Sequence, residues 1–297
     1  MIDVAFIGLS IGAILLLVSL GLAITYGSMG VINMAHGEMV MLGAYTNVLL
    51  GIWLNVGFLA AIPVAFMATA LVGFVIERLV VRRLYGRLLD TMLATWGIAI
   101  LLQEAVRLDL GLSLVGINIE GLGKGLQKVA APDWLAGVVT IAGVQINAYR
   151  GFIILLTAVL TTATWILLYR TPLGIQVRAI MRNPKMAAAC GINVERVNAL
   201  TFAYGSGLAG IAGVMMSGFM TVSPEMGAPV VVDGFLVVVT GGLGSLLGTV
   251  WSAGILGEIN GFVSSVTTDV VARAAVFAVL ILIIVFRPNG LFSFRAR

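Results

Sequence analysis

The chain has 297 residues, of which 60% are hydrophobic and 10% are charged, and its mean hydropathy is +1.11. One soluble core cannot bury that much apolar surface, so the composition excludes a soluble globular domain and indicates an integral membrane protein. The net charge of +4 comes from arginines beside apolar runs. It therefore reports membrane topology, and no nucleic-acid partner is expected.

Apolar runs without Asp, Glu, Lys or Arg follow one another along the chain and lack the alternation of polar and apolar positions that barrel strands show. A spanning helix needs about 20 apolar residues, so most of these runs hold one helix and the longest holds two. The runs cover residues 4–37, 39–76, 151–169, 197–224 and 234–257. We therefore expect one all-α transmembrane domain over residues 1–297, with about eight to ten helices.

Basic residues concentrate at residues 77–87, at residues 170–196 and in the tail from Arg287. By the positive-inside rule these three segments are cytoplasmic, whereas residues 104–150, with balanced charges, belong outside. The pattern predicts an external N-terminus and a cytoplasmic C-terminus. To bring the tail inside, residues 233–266 must cross twice or form a re-entrant pair, and Glu225 and Asp233 are expected on the outer face.

The stretch GVINMAHGEMVMLGAY, residues 30–45, interrupts the first apolar runs with polar side chains. Asn33, Glu38 and the single histidine of the chain, His36, fall within six residues. Ionisable groups are costly in hydrocarbon unless they face protein or water, so this cluster is a candidate transport path. Two alternatives stay open. The stretch could be a loop at the membrane surface, and His36 and Glu38 could form a structural pair, with Glu38 near a half-helix N-terminus.

A second interruption, TGGLGS, occupies residues 240–245. It and residues 27–38 stand in corresponding positions of two halves that run in opposite directions. This arrangement predicts an inverted repeat whose broken segments line a path at the membrane midplane. The predicted path residues are Asn33, His36, Glu38, Thr240, Gly241 and Gly242.

The cytoplasmic residues 170–196 mix basic side chains with small and apolar ones. Pro184 divides the stretch, so we expect a short amphipathic helix, a turn and a second short helix that ends at Gly191. An exposed helix of this composition suits docking into a groove on a partner protein. The alternative is a basic loop that holds phospholipid headgroups.

Four stretches, GVINMAHGEMVMLGAYT, RTPLGIQVRAIMRNPKMAAACGI, LTFAYGSGLAGIAGV and RPNGLF, resemble the permease subunits of branched-chain amino acid and urea uptake ABC transporters. The resemblance implies a bacterial inner-membrane protein that pairs with a second related permease, two cytoplasmic ATPase subunits and an external solute-binding protein. It also implies that residues 170–191 sit on an ATPase. The implied coupling residues are Arg178, Arg182, Asn183, Ala187 and Gly191.

The resemblance further implies that this subunit performs no chemistry and binds no cofactor, since ATP and Mg²⁺ belong to the ATPase subunits. No GxxxxGK[ST] phosphate loop occurs in the sequence. Met34, the run VNALTFAYGSGLAG and the run VVDGFLVVVTGGLGSLLGT look more similar to urea permeases, so urea or a short amide is the expected substrate. Branched-chain or other hydrophobic amino acids are the alternative. A passive urea channel, a secondary transporter and an intramembrane protease fit the sequence less well.

Overall fold

The computed structural model describes residues 2–54, 56–108, 126–129, 131–141, 144–287 and 290–291. Nearly all of them are helical. The helices are α1 (Ile2–Met29), α2 (His36–Val48, continued by a π-helical turn, Leu49–Trp53), α3 (Phe58–Leu79), α4 (Leu88–Arg107), α5 (Ala148–Arg170), α6 (Pro172–Arg182), α7 (Pro184–Ala189), α8 (Val194–Ser217), α9 (Gly227–Gly241), α10 (Leu246–Val266) and α11 (Asp269–Phe286). Short 3-10 turns occupy Val81–Leu84 and Asp133–Leu135.

Within the described ranges, seven helices are long and apolar enough to cross a membrane, namely α1, α3, α4, α5, α8, α10 and α11. This confirms the prediction of an all-α integral membrane protein. The strands in the described part are β1 (Val138–Ile141) and β2 (Val144–Asn147), which pair antiparallel as a hairpin. The rest of the predicted external segment lies partly outside the described residues, at 109–125, 130 and 142–143.

Polar residues at the helix boundaries explain where several helices begin. The side chain of Thr171 accepts a hydrogen bond from the Gly174 N–H at 3.2 Å, and Ser245 does the same for Gly248 at 3.1 Å. Asn147, Asn183, Asn193 and Thr268 cap α5, α7, α8 and α11 in the same way. Each cap satisfies a backbone donor that the first turn of a helix leaves free.

Helices α1 and α8 cross at the centre of the fold, where glycines permit close approach. A Cβ added to Gly21 would clash with the carbonyl oxygen of Gly205. Helix α10 packs on α1, while α2 and α3 pack on α8. The fully buried apolar side chains, Phe202 and Leu17 among them, lie between these helices. Large apolar side chains on α3, α4, α5 and α11 point outward, as a lipid environment requires.

The start of α1 and the end of α8 lie at the same face of the molecule, because two neighbouring residues of α5 reach both. The Tyr149 hydroxyl donates to the Met215 carbonyl at 2.8 Å, and the Arg150 guanidinium donates to Ser10 at 2.9 Å. We call this the hairpin face, since β2 leads directly into α5. The opposite face carries the end of α1 together with α6, and we call it the α6 face.

The two halves of the chain repeat one order of helices in opposite directions. Helices α1 to α4 form a long, a short and two long helices, and α8 to α11 repeat this order starting from the other face. Helix α2 runs beside α8 towards the hairpin face, where Asn47 donates to Ser217 at 2.9 Å. Helix α9 runs beside α1 towards the α6 face, where the turn at Gly244 packs against Gly27. The arrangement is that of an inverted repeat.

Candidate functional site

The chain leaves helical geometry between α1 and α2, at residues 30–35. Gly30 ends α1 with a φ of 64°, a conformation that glycine adopts without strain. The Asn33 side-chain oxygen accepts the Ala35 N–H at 3.1 Å, and Thr95 of α4 accepts the Met34 N–H at 3.0 Å. Buried polar groups of the interruption are therefore satisfied from within the protein, and Asn33 itself is buried.

His36, the first residue of α2, is fully buried at the crossing of α1 and α8. Its Nε2 lies 3.0 Å from the Val18 carbonyl oxygen. Because a carbonyl can only accept, Nε2 carries the proton, and Nδ1 is left without a hydrogen-bond partner in the part of the chain that the structure describes. The ring also lies beside Gly21, where a Cβ would meet it. His36 thus ties α2 to α1, which favours the structural alternative for this residue.

Glu38 lies in the first turn of α2, against the start of α9, and is buried. A Cβ added to Gly227 would be 2.8 Å from Glu38 Oε1, and Oε2 has no hydrogen-bond partner within the described residues. A Cβ added to Gly37 would clash with the Gly227 carbonyl oxygen. The N-termini of α2 and α9 therefore meet. We call residues 36–38 together with Gly227 the half-helix junction.

The half-helix junction lies near the middle of the membrane-spanning layer. His36 is level with Val18 and Gly21 of α1 and with Gly205, near the midpoint of α8. From there α2 leads to the hairpin face and α9 to the α6 face. The N–H groups of His36, Glu38 and Met39 already donate to the Asn33 and Ala35 carbonyls, so the two helix N-termini act on the one carboxylate between them through their positive dipole ends. Such a meeting of half-helices is the arrangement that transporters use for polar solutes.

The second predicted interruption lies elsewhere. Thr240 and Gly241 end α9, and Gly242, with a φ of 102°, begins a turn in which Gly244 packs against Met181 of α6. The Leu291 N–H donates to the Thr240 carbonyl at 2.9 Å. These residues are thus at the α6 face, about 20 Å along α9 from its start.

The predicted correspondence between the two interruptions is therefore wrong. The counterpart of residues 30–35 is the segment 218–226, which leads from α8 back to the middle of the membrane layer, where α9 begins. Pro224 and Glu225 made this segment look like an external loop in sequence, and in the structure its Val222 pairs with Gln127 of the predicted external segment. The outer-face prediction for Asp233 is also wrong, since this residue lies in the second turn of α9 and pairs with Arg273 at 3.4 Å.

The predicted coupling segment forms two short helices, α6 and α7, on the α6 face. Arg178 and Arg182 are exposed, and the Arg178 guanidinium lies 4.9 Å from the centre of the Tyr169 ring. Asn183 ends α6 and caps α7 by accepting the Met186 N–H at 3.0 Å. One of the predicted coupling residues, Ala187, packs into the core. Gly191 is exposed and, with a φ of 84°, forms the turn after α7.

A buried carboxylate network on the same face was not predicted. Glu77 is fully buried, accepts a hydrogen bond from the Tyr85 hydroxyl and lies 3.5 Å from the Arg82 guanidinium. Arg82 also pairs with Glu195 at 2.9 Å, which joins the end of α3 to the start of α8. Burial, and then the bond to Glu77, raise the pKa of the Tyr85 hydroxyl. The sequence shows these arginines only as a basic cluster, so their partners could not be read from it.

The described part of the chain contains no group of three His, Cys, Asp or Glu side chains placed to hold a metal ion. Its distinguishing features are instead the two inverted halves and the half-helix junction between them. Together with the seven apolar helices, these define a helical membrane transport protein.

The chain belongs to the family described as branched-chain amino acid transport system / permease component, whose sequence model matches residues 4–286. It is 29% identical to the high-affinity branched-chain amino acid transport system permease protein BraD of Pseudomonas aeruginosa, over 96% of this chain and 93% of the relative. Identity to the permease protein LivH of Escherichia coli K12 is 30%, with the same coverage. The ribose import permease protein RbsC of Bacillus subtilis is 30% identical over 41% of this chain and 40% of its own. No solved structure matches the chain.

Proposed function

We propose that this chain is the membrane-spanning permease subunit of a binding-protein-dependent ABC importer for branched-chain or other hydrophobic amino acids. The observation that carries the proposal is a half-helix junction at mid-depth in a chain that matches branched-chain amino acid permeases over almost its whole length. The names of these relatives describe branched-chain amino acid transport, which supports this substrate class. The sequence details around Met34 had instead suggested urea.

The junction offers complementary groups to a zwitterionic amino acid. The converging N-termini of α2 and α9 suit a substrate carboxylate, and the Glu38 carboxylate suits an ammonium group. Both are closed off in this conformation, since Glu38 is buried. We propose that α2 and α9 separate during transport so that Asn33, His36 and Glu38 line the path. In this proposal Thr240, Gly241 and Gly242 hold the end of α9 at the cytoplasmic exit.

Residues on the α6 face fit the contact with an ATPase subunit. Arg178 and Arg182 are exposed without an ion-pair partner among the described residues, and exposed apolar side chains, Ile175 and Met186, lie beside them. The positive-inside rule makes this face cytoplasmic, with the N-terminus of the chain outside. The proposed partners are a second related permease, two ATPase subunits that bind ATP and Mg²⁺, an external solute-binding protein and membrane lipid.

Uptake of labelled leucine and labelled urea by cells with the complete transporter tests the proposal, with an ATPase-inactive variant of the partner subunits as the control. We expect leucine uptake that requires active ATPase and that excess urea does not reduce. ATPase-dependent urea uptake without leucine uptake would restore urea as the substrate. Urea flux that continues with inactive ATPase would replace the importer by a passive channel.

A further inference from the structure

The two interrupted segments of the chain are held in place by different kinds of contact. The interruption between α1 and α2 is fixed from within the protein, because the buried side chains of Asn33 and Thr95 accept backbone N–H groups there. The counterpart segment, residues 218–226, is tied at the surface instead. Its Glu225 side chain is 74% exposed and pairs at 2.9 Å with Arg107, the last residue of α4. We call residues 218–226 the strap, since they lead from the hairpin face to the start of α9.

Polar contacts tie the strap to elements on its outer side. The Arg107 guanidinium lies between two carboxylates, since it also pairs with Glu104 of its own helix at 2.6 Å. Val222 and Gln127 exchange backbone hydrogen bonds of 2.8 and 2.9 Å. Water and salt weaken an exposed ion pair, whereas a buried hydrogen bond is not screened in this way. The tie of Glu225 to α4 is therefore weaker than the buried contacts of the first interruption.

The strap leads directly into the half-helix junction. Val222, Pro224 and Met226 alternate along it and are buried, whereas Glu225 between them points outward. Gly227 of the junction follows at once, so Glu225 lies at most about 7 Å of chain from the junction. A change in the position of Glu225 must therefore be felt at the start of α9.

Helix α4 contacts both interruptions, and it does so at two different levels. Thr95 is buried and bonds to the first interruption. Arg107 lies twelve residues, or about 18 Å, further along the helix and pairs with the strap. Because the first contact is buried and the second is exposed, α4 can keep the start of α2 in place while the strap moves.

We propose that the strap is the outer gate of the transport path, and that the ion pair between Arg107 and Glu225 is the latch that holds the gate closed. The proposal rests on the proposed function, in which α9 separates from α2 during transport. Since the strap is continuous with α9, release of Glu225 from Arg107 lets the start of α9 move away from α2. The junction then opens towards the hairpin face. With the latch formed, Met226 at the inner end of the strap is buried.

Access of water to position 226 measures the state of the gate. In a Cys190→Ala background, which removes the exposed native cysteine, Met226→Cys is treated with a membrane-impermeant methanethiosulfonate in the complete transporter in nanodiscs. We expect Arg107→Gln to speed this labelling at least fivefold, because the latch is lost. Arg150→Gln is the matched control and should leave the rate unchanged, since Arg150 donates to Ser10 of α1. Equal rates in the two variants, or slower labelling with Arg107→Gln, would overturn the proposal.

A reversible cross-link tests whether the gate has to open during transport. In the same background, Arg107→Cys and Glu225→Cys are joined by a short bis-methanethiosulfonate, which holds the strap to α4. We expect at least a tenfold loss of ATPase-dependent uptake that a reducing agent restores, while either single cysteine variant keeps its uptake after the same treatment. Uptake that continues with the link intact would overturn the proposal. Uptake of urea in place of leucine would overturn the proposed substrate instead, and would leave the labelling and the effect of the link unchanged.

Discussion

The two short helices α2 and α9 begin at the same point in the membrane but differ in chemistry. Helix α2 starts with His36 and carries Glu38 in its first turn, whereas α9 starts with Gly227, Ala228 and Pro229 and has no ionisable residue before Asp233. Close glycine contact is therefore enough to bring two helix starts together. His36 ties α2 to α1, whereas Glu38 Oε2 has no hydrogen-bond partner within the described residues, so Glu38 is the residue of the two that suits the solute recognition proposed above.

The two helices also end in different surroundings. Helix α2 ends at the hairpin face, where the Asn47 side chain donates a hydrogen bond to Ser217 of α8. Helix α9 ends in the turn that packs against Met181 of α6. Of the two, only α9 connects the half-helix junction to the proposed ATPase contact. A movement of α6 can therefore reach the junction along α9, while α2 and its polar side chains stay attached to α1 and α8.

The largest effect is expected from Gly37→Ala at the contact between the two helix starts. Its Cβ would clash with the Gly227 backbone, which cannot move aside as a flexible side chain can, and overpacking of this kind costs about 1–3 kcal/mol. We expect lost uptake and a lower melting temperature in detergent. Gly97→Ala in α4 is the matched control, since nothing lies within 4 Å of its added Cβ. Equal melting temperatures for the two variants would contradict the close contact.

Charge reversal on the α6 face comes next. Arg182→Glu should abolish ATP-dependent uptake, because the exposed guanidinium is proposed to contact an ATPase subunit, while the purified chain keeps its melting temperature. Co-purification of the ATPase measures the contact directly. Arg150→Glu on the hairpin face is a control for the change of charge and should leave that co-purification intact. Normal uptake and co-purification by Arg182→Glu would remove this residue from the contact.

Loss of the junction carboxylate should have a smaller effect. The experiment tests whether solute recognition depends on α2 or on α9. Glu38→Gln keeps the size of the side chain, so we expect an unchanged melting temperature and roughly a tenfold loss of leucine uptake, about 1.4 kcal/mol of lost recognition. Asp233→Asn removes a carboxylate from α9 and should change uptake less. The ranking is measured by initial rates of leucine uptake. A greater loss in Asp233→Asn would place recognition on α9.

The sequence predicted the first interruption but misplaced the second, for a physical reason. Asn33, His36 and Glu38 stand out against apolar neighbours, so the start of α2 was visible as a polar cluster. The start of α9 depends on contact between Gly227 and Gly37, and glycines near prolines and acidic residues look like any external loop. Charge, glycine and proline patterns were enough to predict three features. These are the number of helices, the turn after Gly241 and the pair of short helices at residues 170–191. Contacts across the two halves were not, because they join residues almost 200 positions apart.

The smallest effect is expected from His36, whose ring joins α2 to α1. Its hydrogen bond to the Val18 carbonyl is worth about 1 kcal/mol net, and glutamine can donate a similar bond. We expect His36→Gln to transport leucine at close to the normal rate, and His36→Leu to melt at a lower temperature, since leucine cannot donate to the Val18 carbonyl of α1. If His36→Gln instead abolished uptake with an unchanged melting temperature, the imidazole itself would act in transport, as a proton carrier or a substrate ligand. That outcome would move the functional centre of the junction from Glu38 to His36, and so from the start of α9 to the crossing of α1 and α8.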